Sequence, residues 1–330
     1  MERPSISRVF SAANEVPTAY GESRMNFLKL SQKGDLRGLQ ELGSKNEIAD
    51  WTVYRHEVSG DTPLHLAARE GRIEVVKYLC ESWNEPSFRI EVVNKDLKRP
   101  IHEAAHVPTF SQTELVFLNV RIIVAGASVD PLKRADWTPL MLACTKSDEE
   151  AGNCVDILLK NGASTDLKNK DGWTPLLVAC RTGNVETVKN ILKYSPESIN
   201  VESKNGRRPL HVAAFHGNKN VMEILLSLDP GQINCKDSSG ATPLFESIKS
   251  GDSSAFEYLI KSSADFKTKD NVGQTILHLA AQSGNIQVIR FILENKLVDV
   301  NCEASLGITP IMLAEKNKQP HAIEVLQKFQ

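Results

Sequence analysis

The stretch NKDGWTPLLVACRTGN, Asn169 to Asn184, decides the fold. It opens on a charged turn at Asp171-Gly172, passes through Trp173 to a Thr174-Pro175 step, and runs along an apolar face to Gly183. Thr174 is expected as the N-cap acceptor, and Pro175 as the first helical residue, where a missing N–H costs nothing. Leu176, Leu177, Ala179 and Cys180 then supply a short apolar face, whose small members let a neighbouring helix come close. Gly183 permits the left-handed turn that ends the helix. In the following NVETVKNILKY, Val185, Val188, Ile191 and Leu192 have the spacing of a second, amphipathic helix. The polar NGASTDLKNKDG ahead of Trp173 reads as a link whose Asp171-Gly172 turn projects a finger.

The pattern recurs. GDTPLHLAAREG, LKRPIHEAAH, ADWTPLMLAC, NGRRPLHVAAFHGN, SGATPLFESIKSG, VGQTILHLAAQSGN and LGITPIMLAEKN are its siblings, anchored on Pro63, Pro100, Pro139, Pro175, Pro209, Pro243, Ile276 and Pro310. Successive anchors lie 37, 39, 36, 34, 34, 33 and 34 residues apart, which is a period. In a chain of 330 residues it implies a core that grows by stacking.

Composition excludes several classes. With 24% charged and 41% hydrophobic residues and a formal net charge of -2, nothing marks the chain as a nucleic-acid or membrane binder. The longest apolar run, Val116 to Ala127, is broken by Asn119 and Arg121 and falls short of the roughly 20 residues a bilayer requires. Cys80, Cys144, Cys154, Cys180, Cys235 and Cys302 form no C-x-x-C pair, which fits reduced thiols in the cytoplasm or nucleus. No phosphate loop, zinc pattern or nucleophile elbow occurs, so neither a cofactor, a metal nor a self-contained enzyme site is expected.

The T-P-L-H-x-A-A core, the outer V-V-x-x-L-L and the period near 33 residues resemble the ankyrin repeat family. That resemblance implies an all-α solenoid of helix-turn-helix units with projecting β-hairpin fingers. About nine units are expected over residues 25–330, the first, NFLKLSQKGDLRGLQEL, being a degenerate N-terminal cap. Residues 1–24 are read as a disordered tail. Three long links, ESWNEPSFRIEVVNKD, HVPTFSQTELVFLNV and SDEEAGN, read as loop extensions. His65, His102, His211 and His278, one per repeat, are read as structural, each bonding the loop and the capping hydroxyl. Cys144 and Cys180 are read as small core residues.

Finger side chains carry the functional signal, because packing does not dictate them. Five residues before the anchor stand Lys95, Arg134, Lys170 and Lys204, then Ser238, Asn271 and Ser305. Two before it stand Lys98, Trp137, Trp173 and Arg207, then Ala241, Gln274 and Ile308. A partner-binding surface is expected there, with the tryptophans as anchors and the basic residues, Lys168 included, steering an acidic protein. A monomeric scaffold without chemistry satisfies the residues alone. Aromatic and basic fingers also suit single-stranded nucleic acid, but the acidic overall balance argues against direct contact.

NKDLKRPIHEAA, LKRADWTPLMLACT, LKNKDGW and ESKNGRRPLHVAAFHG are further similar to a family member that serves alanyl-tRNA synthetase. This implies a cofactor that binds the synthetase catalytic domain and accepts misactivated serine on lysines. Matching segments place one acceptor on Lys170; the other two fall on Arg134 and Asn200, leaving Lys133 and Lys204 as nearby amines.

Overall fold

The computed structural model describes residues 18–45, 50–81, 89–106, 112–147, 149–251 and 253–330. The chain falls into two compact units, one ending at Arg134 and the other beginning at Ala135. The first holds the helix pairs Thr18–Lys33 with Leu36–Lys45, Pro63–Arg69 with Ile73–Glu81, and Pro100–Ala104 with Gln112–Val124. The second begins with Pro139–Ala143 and Glu149–Lys160, then Pro175–Thr182 and Val185–Tyr194, then Pro209–Phe215 and Lys219–Leu228. Pro243–Lys249 with Ser253–Lys261, Ile276–Ser283 with Ile286–Glu294, and Pro310–Lys316 with Pro320–Lys328 complete it.

Each inner helix starts where the period predicts, at its anchor. Leu64, Ala67 and Ala68 in one repeat, Leu210, Ala213 and Ala214 in another, and Leu277, Ala280 and Ala281 in a third are fully buried. Small residues at these sites let inner helices of neighbouring repeats pack closely. Outer helices bury one stripe, such as Val188, Ile191 and Leu192, and Gly183 closes its inner helix at φ 83°. Phe27, Leu39 and Trp51 extend the core of the first unit into its degenerate first pair, and Cys144 and Cys180 are wholly inside the second.

The fingers are turns. In one after another, the residue six before the anchor accepts a backbone bond through its side chain and closes a loop on the residue two before it. Asn169 Oδ1 accepts from Asp171 N–H and Trp173 N–H, both at 2.9 Å, while Asn169 N–H donates to Trp173 C=O at 3.0 Å. Asn94, Asp237 and Asp270 do the same in their own fingers. The amide five before the anchor donates to a carbonyl of the preceding finger. Lys95 to Ser59 (2.9 Å) and Arg134 to Asp96 (3.2 Å) are such links in the first unit. Lys170 to Ala135 (3.1 Å), Ser238 to Asn205, Asn271 to Ser239 and Ser305 to Val272 (each 3.0 Å) are those of the second. The fingers expected as β-hairpins thus contain no extended strand among the described residues, because the chain reverses before two strands could pair. The reversal needs a left-handed residue, Gly172 at φ 78° in this finger. A Cβ there would also lie 2.8 Å from Lys204 N in the next one.

Histidine joins helix to finger. Thr62 N–H donates to His65 Nδ1 at 3.2 Å, the Thr62 hydroxyl lies 2.8 Å from the same nitrogen, and His65 Nε2 donates to Lys98 C=O at 2.9 Å. His278 repeats this with Thr275 and Ile308 C=O, and His211 with Arg208 N–H and Ala241 C=O. A ring that accepts at Nδ1 and donates at Nε2 is neutral. Burial accordingly pushes the pKa of His65, His211 and His278 below the ordinary 6.5.

Two expectations change. The helix of the first pair spans Thr18–Lys33 and so takes in residues 18–24, while residues 1–17 lie outside the described residues. Thr174 occupies the N-cap position, yet its buried hydroxyl has no partner among the described residues. Its third helical residue is Leu177, not the histidine that meets the hydroxyl of Thr62 or Thr275. The three long links fall partly outside the described residues, at 82–88, 107–111 and 148.

Two predictions follow from these contacts. Gly172→Ala should lower the unfolding free energy by ~1–2 kcal/mol for the left-handed backbone alone, and further through the Lys204 contact, as read by urea titration. Because the folded-state histidine pKa values lie below 6.5, their contribution is complete above about pH 6.5 and is lost as pH falls through the lower folded values. The urea midpoint should therefore drop between pH 7.5 and pH 5, and the double variant His65→Gln/His278→Gln should flatten that dependence.

Candidate binding cleft and its amines

The finger cations are largely engaged within the protein. At the position five before the anchor, Arg134 Nη2 donates to Lys95 C=O at 3.1 Å, Lys204 Nζ donates to Lys170 C=O, and Asn271 Nδ2 donates to Ser238 C=O at 3.0 Å. Each side chain reaches the carbonyl at its own register in the preceding finger. Lys95 Nζ donates to Glu57 C=O at 2.6 Å, and Lys168 Nζ to Glu202 C=O at 2.9 Å. These groups stay exposed, but their direction is set by the ladder.

Two before the anchor, the basic residues neutralise buried glutamates. Lys98 Nζ lies 3.1 Å from Glu103 Oε1, whose other partner, Arg69, stands 2.9 Å away and also pairs with buried Asp61. Burial works to raise the Glu103 pKa, but the Arg69 hydrogen bond and the charges of Arg69 and Lys98 outweigh it and hold the carboxyl below its usual range. Arg207 Nη2 lies 2.9 Å from Glu246 Oε2, a side chain with no exposure, which Lys249 approaches at 2.8 Å. Pairs of this kind hold only if both partners are present. Lys98 and Arg207 are thus internal counter-ions.

Trp137 and Trp173 are half-buried and come together in the second unit. With Val178, Arg181 and Thr182 of an inner helix, Thr145 of the turn after the preceding one, and Asn169 and Asp171 of the finger, they line a cleft of about 390 Å³. Thr182 Oγ1 donates to Cys144 C=O and Val178 C=O, and Thr145 Oγ1 to Leu142 C=O, so the wall is fixed from behind. The Arg181 guanidinium stands 5.9 Å from the Trp173 ring centre, and no described carboxylate forms an ion pair with it. One repeat on, the same two registers exchange roles, with Arg207 5.4 Å from the Phe215 ring. Arg181 and Val178 were not among the residues singled out from sequence. Comparing the column six after the anchor, where Arg69, His106, Thr145, Arg181 and Phe215 stand, would have found the first.

The candidate amines differ. Lys170 is exposed, and its Nζ has no hydrogen bond or ion pair among the described residues; its chain neighbours Asn169 and Asp171 both line the cleft. Lys133, in the first unit, is half-buried, and burial first, then the Lys98 charge, lowers its pKa from the usual lysine value. Lys204 Nζ is occupied by the Lys170 carbonyl. Among the described residues, no group of three or more His, Cys, Asp or Glu is placed to hold a metal, and no helix is long and apolar enough to cross a membrane.

The family model described as Ankyrin repeats (3 copies) matches residues 30–118, 112–202, 148–237, 190–270 and 244–329. Inversin of Canis lupus familiaris is 34% identical over 71 residues, which is 22% of this chain and 6% of that protein, so the likeness spans a small part of that protein's length. With matches running from residue 30 to residue 329, the chain belongs to the ankyrin repeat family, whose repeats form protein-binding scaffolds.

Proposed function

We propose that this scaffold is a cofactor of alanyl-tRNA synthetase, binding its catalytic domain and taking misactivated serine onto lysine before it reaches tRNA. The reading starts from the similarity of NKDLKRPIHEAA, LKRADWTPLMLACT, LKNKDGW and ESKNGRRPLHVAAFHG to ankyrin repeat domain-containing protein 16. Such a role belongs in the cytoplasm and, where the synthetase is also present, the nucleus. The observation that carries it is Lys170, an exposed amine without an internal partner, flanked in the chain by two residues of an aromatic cleft.

The chemistry asks little of the protein. Seryl adenylate is a mixed anhydride; the lysine nitrogen attacks its carbonyl carbon, an amide bond forms, and AMP leaves with the electron pair of the broken C–O bond. The proton lost from the ammonium goes to water. Docking supplies proximity, and the requirement that remains is a neutral amine, only ~0.1% of an ordinary lysine near neutral pH. Lys133, with its lowered pKa, meets that requirement better than an ordinary lysine; Lys170 has the access. An adaptor that binds without capture is the second reading. It is favoured by Arg134, which is no nucleophile, and by Lys204, which is held in the ladder.

Incubation with alanyl-tRNA synthetase, ATP and serine, followed by peptide mass spectrometry, should show seryl adducts on Lys170 and Lys133, lost individually in Lys170→Arg and Lys133→Arg. A stable complex without adducts would leave the adaptor; absence of both complex and adducts would overturn the synthetase reading.

A further inference from the structure

The geometry points to a specific occupant for the cleft between Trp137 and Trp173: an apolar side chain of a partner protein with an acidic residue beside it. The inference rests on the scaffold reading and not on capture of serine.

Volume and lining set the apolar part. About 390 Å³ lies in the ~300–1,000 Å³ range of ligand pockets and accommodates a large side chain rather than a domain surface. Two indoles and buried Val178 offer that side chain an apolar wall, and half-exposed tryptophan beside arginine is the composition of interface hot spots. Both rings sit on fingers fixed by backbone bonds, Trp173 through Asn169 at 2.9 and 3.0 Å, so little ordering entropy is lost on binding.

Charge sets the rest. Several finger and inner-helix cations are consumed, Lys98 and Arg69 on Glu103, Arg207 and Lys249 on Glu246, whereas Lys170 is exposed and, among the described residues, unpaired beside the cleft. Arg181 is exposed, lies over Trp173 and has no carboxylate partner among the described residues. A guanidinium at the mouth of an aromatic cleft attracts a carboxylate and repels a cation, so the paired rings are not a cage for a lysine or ammonium ligand. The opposing charge is Asp171, exposed on the finger side of the same cleft. The partner's acidic residue is therefore directed to the Arg181 end, away from the finger tip.

Two acetylated, amidated pentapeptides test this, one with phenylalanine between two glutamates and one with it between two lysines. Titrated calorimetrically into the full chain at low salt, the glutamate peptide should bind about tenfold more tightly, the preference shrinking as salt rises. Arg181→Glu, a surface change that leaves both rings in place, should abolish or reverse the preference, and Asp171→Asn should increase it. Trp137→Ala/Trp173→Ala should abolish binding of both peptides, with circular dichroism showing that the repeats remain folded. Equal binding of the two peptides, or a preference indifferent to Arg181→Glu, would overturn the assignment even if the synthetase still binds. Acid-selective binding in a chain that does not bind the synthetase would sustain the cleft and remove the synthetase reading instead.

Discussion

Where a repeat carries it, the hydrogen bond from a buried imidazole to the next finger's carbonyl is the contact that ties helix to finger. An inner helix of five to eight residues cannot stand alone; nucleation costs too much and there is too little face to bury. His65, His211 and His278 take up the backbone N–H at the start of the helix and pass a proton bond to Lys98, Ala241 and Ile308 respectively. One side chain thereby satisfies two backbone groups that would otherwise be buried without partners, and fixes the spacing between a helix and the following finger.

Once that spacing is fixed, the fingers bond each other, and this determines what their side chains can do. Lysine, arginine and asparagine at one register, Lys204, Arg134 and Asn271, perform the same act of reaching the preceding finger's carbonyl. A row that looks basic in sequence is a row of donors. A neutral amide makes the same bond as two cations, so basic character alone does not mark a binding face. The groups that stand apart are those not engaged by neighbours: Lys170 among the fingers and Arg181 on an inner helix.

Much of the fold was legible because it is local. The anchor and the left-handed glycine recur along the array, with histidine at the third position of four repeats, and each has a short-range cause. Thr174 shows the limit of transferring the pattern: it stands at the capping position but its hydroxyl has no partner among the described residues, whereas that of Thr138 accepts from Met141 N–H. The start at Thr18 escaped notice since that first turn shows no apolar period. What sequence could not show were the pairings between repeats. Arg207 with Glu246 and Arg69 with Glu103 are separated by a full repeat, and nothing in either segment alone indicates that the charges meet. The tryptophans were visible as equivalent positions, whereas the guanidinium completing their cleft lay in a column that packing was assumed to own.

The same pairings explain why the cleft lies where it does. Three residues after the anchor, the inner helices carry Glu103 and Glu246 in two repeats, each drawing cations of the concave registers onto itself. In the three repeats between, that register holds Leu142, Val178 and Val212, which are buried and attract no cation. Large aromatic rings can then occupy the finger register above them without displacing an ion pair, and an arginine six after the anchor is left with a ring in place of a carboxylate. Introducing a glutamate at Val178 would place a carboxylate within the cleft for Arg181 to neutralise, converting it to the arrangement of its neighbours. Binding capacity in this array is thus located by where the internal ion pairs stop.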